Sequence, residues 1–107
     1  MIKVDRALDA LGDPTRRLVF DRLRGRRRSV REIAEGMDVS RPAVSQHLKV
    51  LKAARLVTAH AQGTRRFYEI DTRGLGALRA WLDGFWREAL AAFKEAAEQE
   101  ATKERKH

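Results

Sequence analysis

The chain has no cysteine, and that single absence excludes disulfides, thiolate metal sites, cysteine nucleophiles and thiol redox sensing together. Serine is nearly as scarce: Ser29, Ser40 and Ser45 are the only three. Two of them read as helix caps, and no His–carboxylate pair has a third partner, so enzymatic readings find little support and no catalytic residue is assigned. There is no N-terminal apolar run of signal-peptide type, and no apolar stretch approaches the ~18 residues of a membrane helix, so a cytoplasmic location is expected. Aromatics make up 7% of the 107 residues, yet Trp81, Phe85, Trp86 and Phe93 fall close together. A chain of this length suits one domain, and so small a domain gains stability from dimerisation.

What the sequence does have is positive charge in one place. The formal net charge is +8. Residues 13–66 hold 14 Lys+Arg against 5 Asp+Glu, a local +9, whereas residues 72–107 hold 7 against 6. A positive field confined to the middle of the chain points to a polyanionic partner, because Lys and Arg gain affinity by releasing counterions condensed on phosphates. Within it, Arg26-Arg27-Arg28 after Gly25 is more often a solvated loop than a phosphate clamp, and whether the run contacts DNA is open.

Residues 40–57 predict a short polar helix with a thin apolar stripe. At about 100° per residue, Val44, Leu48 and Leu51 share a narrow sector, with Pro42, Ser45, Gln46 and Lys49 opposite. Ser40 is a good N-cap, and Pro42 stands in the first turn, where its missing N–H breaks no hydrogen bond. Just upstream, Ser29 and Glu32 form a capping box for a helix carrying Val30, Ile33, Ala34 and Met37. Residues 36–39 then read as a turn, with Asp38 where many such turns carry glycine. Two helices so joined, the second with short hydrogen-bonding side chains outward, have the organisation of a helix-turn-helix.

Val4, Leu8 and Leu11 mark a first helix ended by Gly12. Asp13-Pro14 opens a second, closed at Gly25, with Leu18, Val19 and Leu23 expected inward. Residues 56–61 and 65–71 are β-prone runs about the turn Gln62-Gly63-Thr64, with Arg65 and Arg66 at the tip: a basic hairpin placed as a wing beside the recognition helix. From residue 72 onward one long helix is predicted, with Leu75, Leu78, Leu82, Phe85, Trp86, Ala89, Phe93, Ala96 and Ala97 in a stripe about 120° wide. Its excess length and its aromatics suggest a subunit interface, and Ala77, Ala80, Gly84 and Ala91 on the reverse face permit close approach of another helix. The expected fold is mainly α with a small β-hairpin, a dimeric winged helix-turn-helix of order α-α-α-α-β-β-α. Residues 1–101 form the DNA-binding and dimerisation domain and residues 102–107 a flexible tail.

That element order, with the wording Asp13-Pro14-Thr15-Arg16, Ser40-Arg41-Pro42-Ala43-Val44-Ser45-Gln46-His47-Leu48-Lys49-Val50-Leu51 and Gly63-Thr64-Arg65-Arg66, closely resembles the ArsR/SmtB family of winged-helix repressors over nearly the whole chain. The resemblance implies a sequence-specific DNA-binding transcriptional regulator, most often a repressor. It also implies a homodimer formed through its first and last helices, which binds a palindromic operator in double-stranded DNA with one recognition helix per half-site. By resemblance Ser40, Arg41, Pro42, Ser45 and Gln46 face bases or nearby phosphates, and Arg65 and Arg66 are wing contacts; Lys49 joins them from the helical wheel. Val4 and Leu8, with Leu78, Leu82, Phe85, Trp86, Ala89 and Phe93, are the expected dimer interface.

Family members that bind soft metals use a cysteine pair before the recognition helix, where this chain has Ser29, Val30 and Arg31. Others use Asp and His on the last helix, but residues 72–105 contain no histidine. With His47, His60 and His107 alone, no ligand set of the required softness assembles within a subunit, and the chain resembles members lacking metal sites. No cofactor is expected, and whether a small-molecule or protein effector exists is open. His47 is expected to make a structural hydrogen bond. The alternatives from other classes are a protein-interaction module whose positive face is incidental and a nonspecific architectural DNA binder, which has no need of the Ser45-Gln46 face.

Overall fold

Most helices of this chain begin where a short polar side chain satisfies their free N–H groups. The computed structural model describes residues 3–105. Its elements are α1 (Lys3–Ala10), α2 (Pro14–Asp21), β1 (Arg28–Ser29), α3 (Val30–Ala34), α4 (Arg41–Ala53), β2 (Val57–Gln62), β3 (Arg65–Ile70) and α5 (Thr72–Arg105). The Asp13 carboxylate accepts from the N–H groups of Thr15 and Arg16 at 2.8 and 3.1 Å and opens α2, with Pro14 in its first turn. Ser29 and Glu32 form the reciprocal capping box of α3 at 2.9 and 3.2 Å. The Ser40 hydroxyl accepts from the Ala43 N–H at 3.2 Å. Each cap joins residues two or three apart, which is why these helix starts follow from local sequence.

The core gathers Ala7 and Ala10 of α1, Val19 of α2, Leu23, Ile33 of α3, Val44, Leu48 and Leu51 of α4, and Ala54, Leu56, Val57 and Tyr68. Three details differ from the sequence expectation. Leu18 is 58% exposed, because α2 turns Val19 to the core and a neighbour 100° away cannot share that face. The helix α3 stops at Ala34, and the residue in the left-handed region is Gly36 (φ 79°) rather than Asp38; Met37 and Val39 pack against the core from the turn instead. The helix α2 ends at Asp21, short of Gly25, and part of the Arg26-Arg27-Arg28 segment is strand rather than loop. Arg28 and Ser29 pair antiparallel with Tyr68 and Phe67, giving a three-stranded sheet of order β1-β3-β2.

The hairpin β2–β3 runs in unbroken register from Val57↔Ile70 to Gln62↔Arg65. Gly63 has φ 65° and Thr64 does not follow it to positive φ, the pattern of a two-residue turn whose first central position favours glycine. The corner from α4 into β2 is unusual. Leu56 N–H donates to Leu51 C=O at 2.9 Å and Arg55 N–H to Lys52 C=O at 3.0 Å, a Schellman closure with Arg55 at φ 61° in the place glycine usually takes. The Arg55 carbonyl turns onto the first turn of α5, where Gly74 is buried against it.

The helix α5 has 34 residues, about 51 Å at 1.5 Å per residue. It packs chiefly against α1, its one buried residue is Gly74 in the first turn, and from Arg79 to Arg105 every residue except Gly84 is exposed. The radius of gyration is 20.1 Å, against about 13 Å for a compact chain of this length, so the distal helix projects from the domain. It continues as helix through residues 102–105, inside the segment expected as a tail; residues 106 and 107 lie outside the described residues. Among the described residues no helix is long and apolar enough to cross a membrane.

Candidate nucleic-acid interface

The recognition helix α4 is divided cleanly. Val44, Leu48 and Leu51 are fully buried, while Ser40, Arg41, Pro42, Ser45, Gln46 and Lys49 are all exposed on the other side. The buried stripe fixes α4 rigidly in the body, leaving a polar surface whose hydroxyl, carboxamide and ammonium groups are not consumed by tertiary contacts. Arg65 and Arg66 are exposed beside the hairpin tip, so the two groups of expected contact residues lie on separate elements that share one core.

The wing is braced. The guanidinium carbons of Arg27 and Arg65 lie 5.4 and 5.2 Å from the Phe67 ring centre, within cation–π range. Arg27 also donates to the Gln62 side-chain carbonyl at 3.1 Å. Arg27, just before β1, thereby ties the α2–α3 segment to the hairpin and adds its charge there. Arg31, Arg65 and Arg66 line an open concavity of about 310 Å³ with Ser29 and Val30. A cross-strand contact of 2.6 Å joins His60 to Glu69 lower in the hairpin.

The positive charge is not all available. Arg16 donates to the Ala10 carbonyl at 3.0 Å, Arg22 to the carbonyls of Glu32 and Glu35 at 3.2 and 2.6 Å, and Arg28 to the Arg22 carbonyl at 2.7 Å. These half-buried cations hold backbone together. Arg22 does so at the C-terminal end of α3, where a positive charge also complements the exposed carbonyls. Arg26, Arg27, Arg31, Arg41, Lys49, Arg65 and Arg66 remain at the surface. Three carboxyls are held below the ordinary carboxylate range. For Asp13 the main cause is the Arg16 N–H, for Glu32 the Ser29 N–H, and for Asp71 the Arg73 guanidinium. Glu32, lowered in this way, serves as the cap of α3 and pairs with Arg26 at 3.0 Å.

The comparisons with known proteins converge on this architecture. Residues 11–60 match the model of a helix-turn-helix domain. The chain is 52% identical over 96 residues to the HTH-type transcriptional regulator Rv2034 of Mycobacterium tuberculosis, covering 90% of each chain. It is 36% identical over 76 residues to the transcriptional repressor SdpR of Bacillus subtilis, covering 71% of this chain and 84% of that one. Among solved structures it resembles the homodimeric winged helix-turn-helix domain Mb0332 from Mycobacterium bovis, a possible ArsR-family regulator, with TM-score 0.65, 31% identity and 82% of each chain covered. The chain belongs to the ArsR/SmtB family.

As an ArsR/SmtB chain it lacks the cysteines of the thiolate-binding members. Among the described residues, no three His, Cys, Asp or Glu side chains stand together in a way that could hold a metal ion. His47 is half-buried and close enough to Asp13 to influence its ionisation. Among the described residues its ring makes no hydrogen bond within the chain, which corrects the expected structural bond.

The residues expected to pair subunits are open to solvent or nearly so. Val4 and Leu78 are half-buried and Leu8 and Ala89 exposed, while Leu82, Phe85, Trp86 and Phe93 are 44, 55, 63 and 74% exposed. Trp81 meets Phe85 edge to face at 4.9 Å. The basic surface also includes Arg27, whose role the sequence left open, and Arg31, which sequence reasoning missed. The arginine run was visible, but its position beside the wing depends on pairing β1 with a strand some 40 residues away.

Proposed function

We infer that this DNA-binding transcriptional regulator is a repressor that reads a palindromic operator as a homodimer. The recognition helix α4 carries sequence readout and the wing carries phosphate contact. The observation that carries the reading is the division of α4 into a fully buried apolar stripe and an exposed Ser45-Gln46-Lys49 face, beside a hairpin bearing Arg65 and Arg66. A helix held this way presents side chains of the right length and chemistry to the major groove. A palindrome needs two such helices at fixed spacing, and the uncovered stripe of α5 offers the means of pairing them. The repressor SdpR and the homodimeric Mb0332 domain support the direction of control and the stoichiometry by similarity.

Gln46→Ala tests the readout. A carboxamide that pairs with a base edge contributes about 1–3 kcal/mol of discrimination, so operator affinity is expected to fall while affinity for random DNA stays unchanged. Equal losses on both would move Gln46 from base reading to backbone contact. Arg65→Ala with Arg66→Ala is expected to weaken binding to every sequence. It should also reduce the slope of log affinity against log salt by roughly one to two units, since each lost phosphate contact releases about one fewer counterion. Titrations at several salt concentrations measure this, and an unchanged slope removes the wing from the interface.

A further inference from the structure

We propose that the apolar groove beside α2 is the seat of the distal half of α5 from a second copy of this chain. The proposal rests on the homodimer reading and extends it to a surface outside the expected interface. The groove, about 680 Å³, is walled by Leu18, Phe20, Ile70 and Leu75, with Arg17, Asp21 and Arg24 at its rim. Leu18, 58% exposed, has no role in the subunit's own core, and an apolar wall left open in this way calls for cover.

The occupant follows from continuity, length and charge. Leu75 belongs both to the groove and to the apolar stripe of α5, so the two surfaces are one. Beyond Ala89 the helix runs on to Arg105, roughly 24 Å at 1.5 Å per residue, with Leu90 and Phe93 60 and 74% exposed and no element of its own subunit beside them. A two-fold axis near Phe85, the aromatic centre of the stripe, sets the two α5 helices antiparallel. Residues 93–97 of one copy then pass residues 73–77 of the other, where the groove opens. Residues 90–105 carry Lys94, Lys103 and Arg105 against Glu95, Glu98, Glu100 and Glu104, a net −1. The groove rim, with Arg17, Arg24 and Asp21, carries a net +1. An acidic apolar helix thus meets a basic apolar groove, and the stripe that one subunit cannot bury is covered along its whole length.

The absence of native cysteine makes the test direct. Leu18→Cys is combined with Phe93→Cys in one variant and with Ala96→Cys in another, and each is treated with a short bismaleimide. The expected result is a covalent dimer from at least one combined variant and from none of the single variants. In particular, Phe93→Cys alone does not link, because the two copies of residue 93 stand about 24 Å apart along antiparallel helices. Leu18→Glu is expected to raise the dimer dissociation constant about tenfold or more, since it places a carboxylate in the apolar contact. Linking through Phe93→Cys alone means parallel helices and overturns the proposal. A protein dimeric by sedimentation in which neither combined variant links also overturns it, leaving the homodimer intact. A monomer by sedimentation overturns both.

Discussion

Gly74→Ala is expected to lower stability by about 3 kcal/mol or more, at the severe end of single substitutions, although it adds one methyl group to a helix that should welcome it. A Cβ at Gly74 would overlap the Arg55 carbonyl oxygen and stand 2.6 Å from its carbon and 3.3 Å from the Ala54 oxygen. All three are backbone atoms. The Arg55 peptide is held by the Schellman closure of α4, so it cannot rotate away without opening the end of the recognition helix. Nor can α5 retreat freely. Asp71 N–H donates to the Leu56 carbonyl at 2.9 Å, and the Asp71 carboxylate accepts from the Arg73 N–H at 2.9 Å. Relief therefore breaks a cap, a strand-end hydrogen bond or the corner itself. Thermal unfolding followed by circular dichroism should show a Tm lower by about 15 °C, taking roughly 4–8 °C per kcal/mol for a domain of this size. Gly76→Ala, where an added Cβ meets nothing within 4 Å, is the control and should stabilise by about 0.5–1 kcal/mol. A Gly74→Ala protein as stable as the native one would mean that the corner is not packed as described.

Trp86→Ala and Phe93→Ala should each raise the dimer dissociation constant on the order of a hundredfold, about 3 kcal/mol. Within one subunit these side chains are 63 and 74% exposed, and truncating exposed residues usually changes stability by no more than about 0.5 kcal/mol. A large effect therefore measures cover supplied by a partner, and its signature is dependence on protein concentration. Gly74→Ala, acting inside a subunit, should show its loss at any concentration. Operator binding should fail along with dimerisation, because reading a palindrome needs two recognition helices at fixed spacing. Sedimentation at micromolar protein that gives a folded monomer with intact operator binding would count decisively against the paired α5 helices.

The sequence by itself determined the features that depend on near neighbours or on periodicity. The caps at Asp13, Ser29 and Ser40 involve partners two or three residues away. The buried and exposed sides of α4 follow from a period of 3.6, and the hairpin from a glycine turn between two β-prone runs. The tertiary structure decided whatever depends on contacts between distant segments. Arg28 and Ser29 are strand because Tyr68 and Phe67 lie alongside, and their own two residues carry no strand signal. Leu18 points outward because Val19 takes the core position, and two apolar neighbours in a helix offer no local means of choosing between them. Gly36 rather than Asp38 takes the left-handed turn because α3 stops at Ala34, earlier than the apolar spacing through Met37 implied. The stripe on α5 was legible as apolar, but only the arrangement of α1 and α5 left it without cover. Gly74 stood as one more glycine in a helix until the left-handed Arg55 brought a carbonyl against it. A steric requirement between two backbones that meet only in the folded state leaves no trace in the order of residues around either.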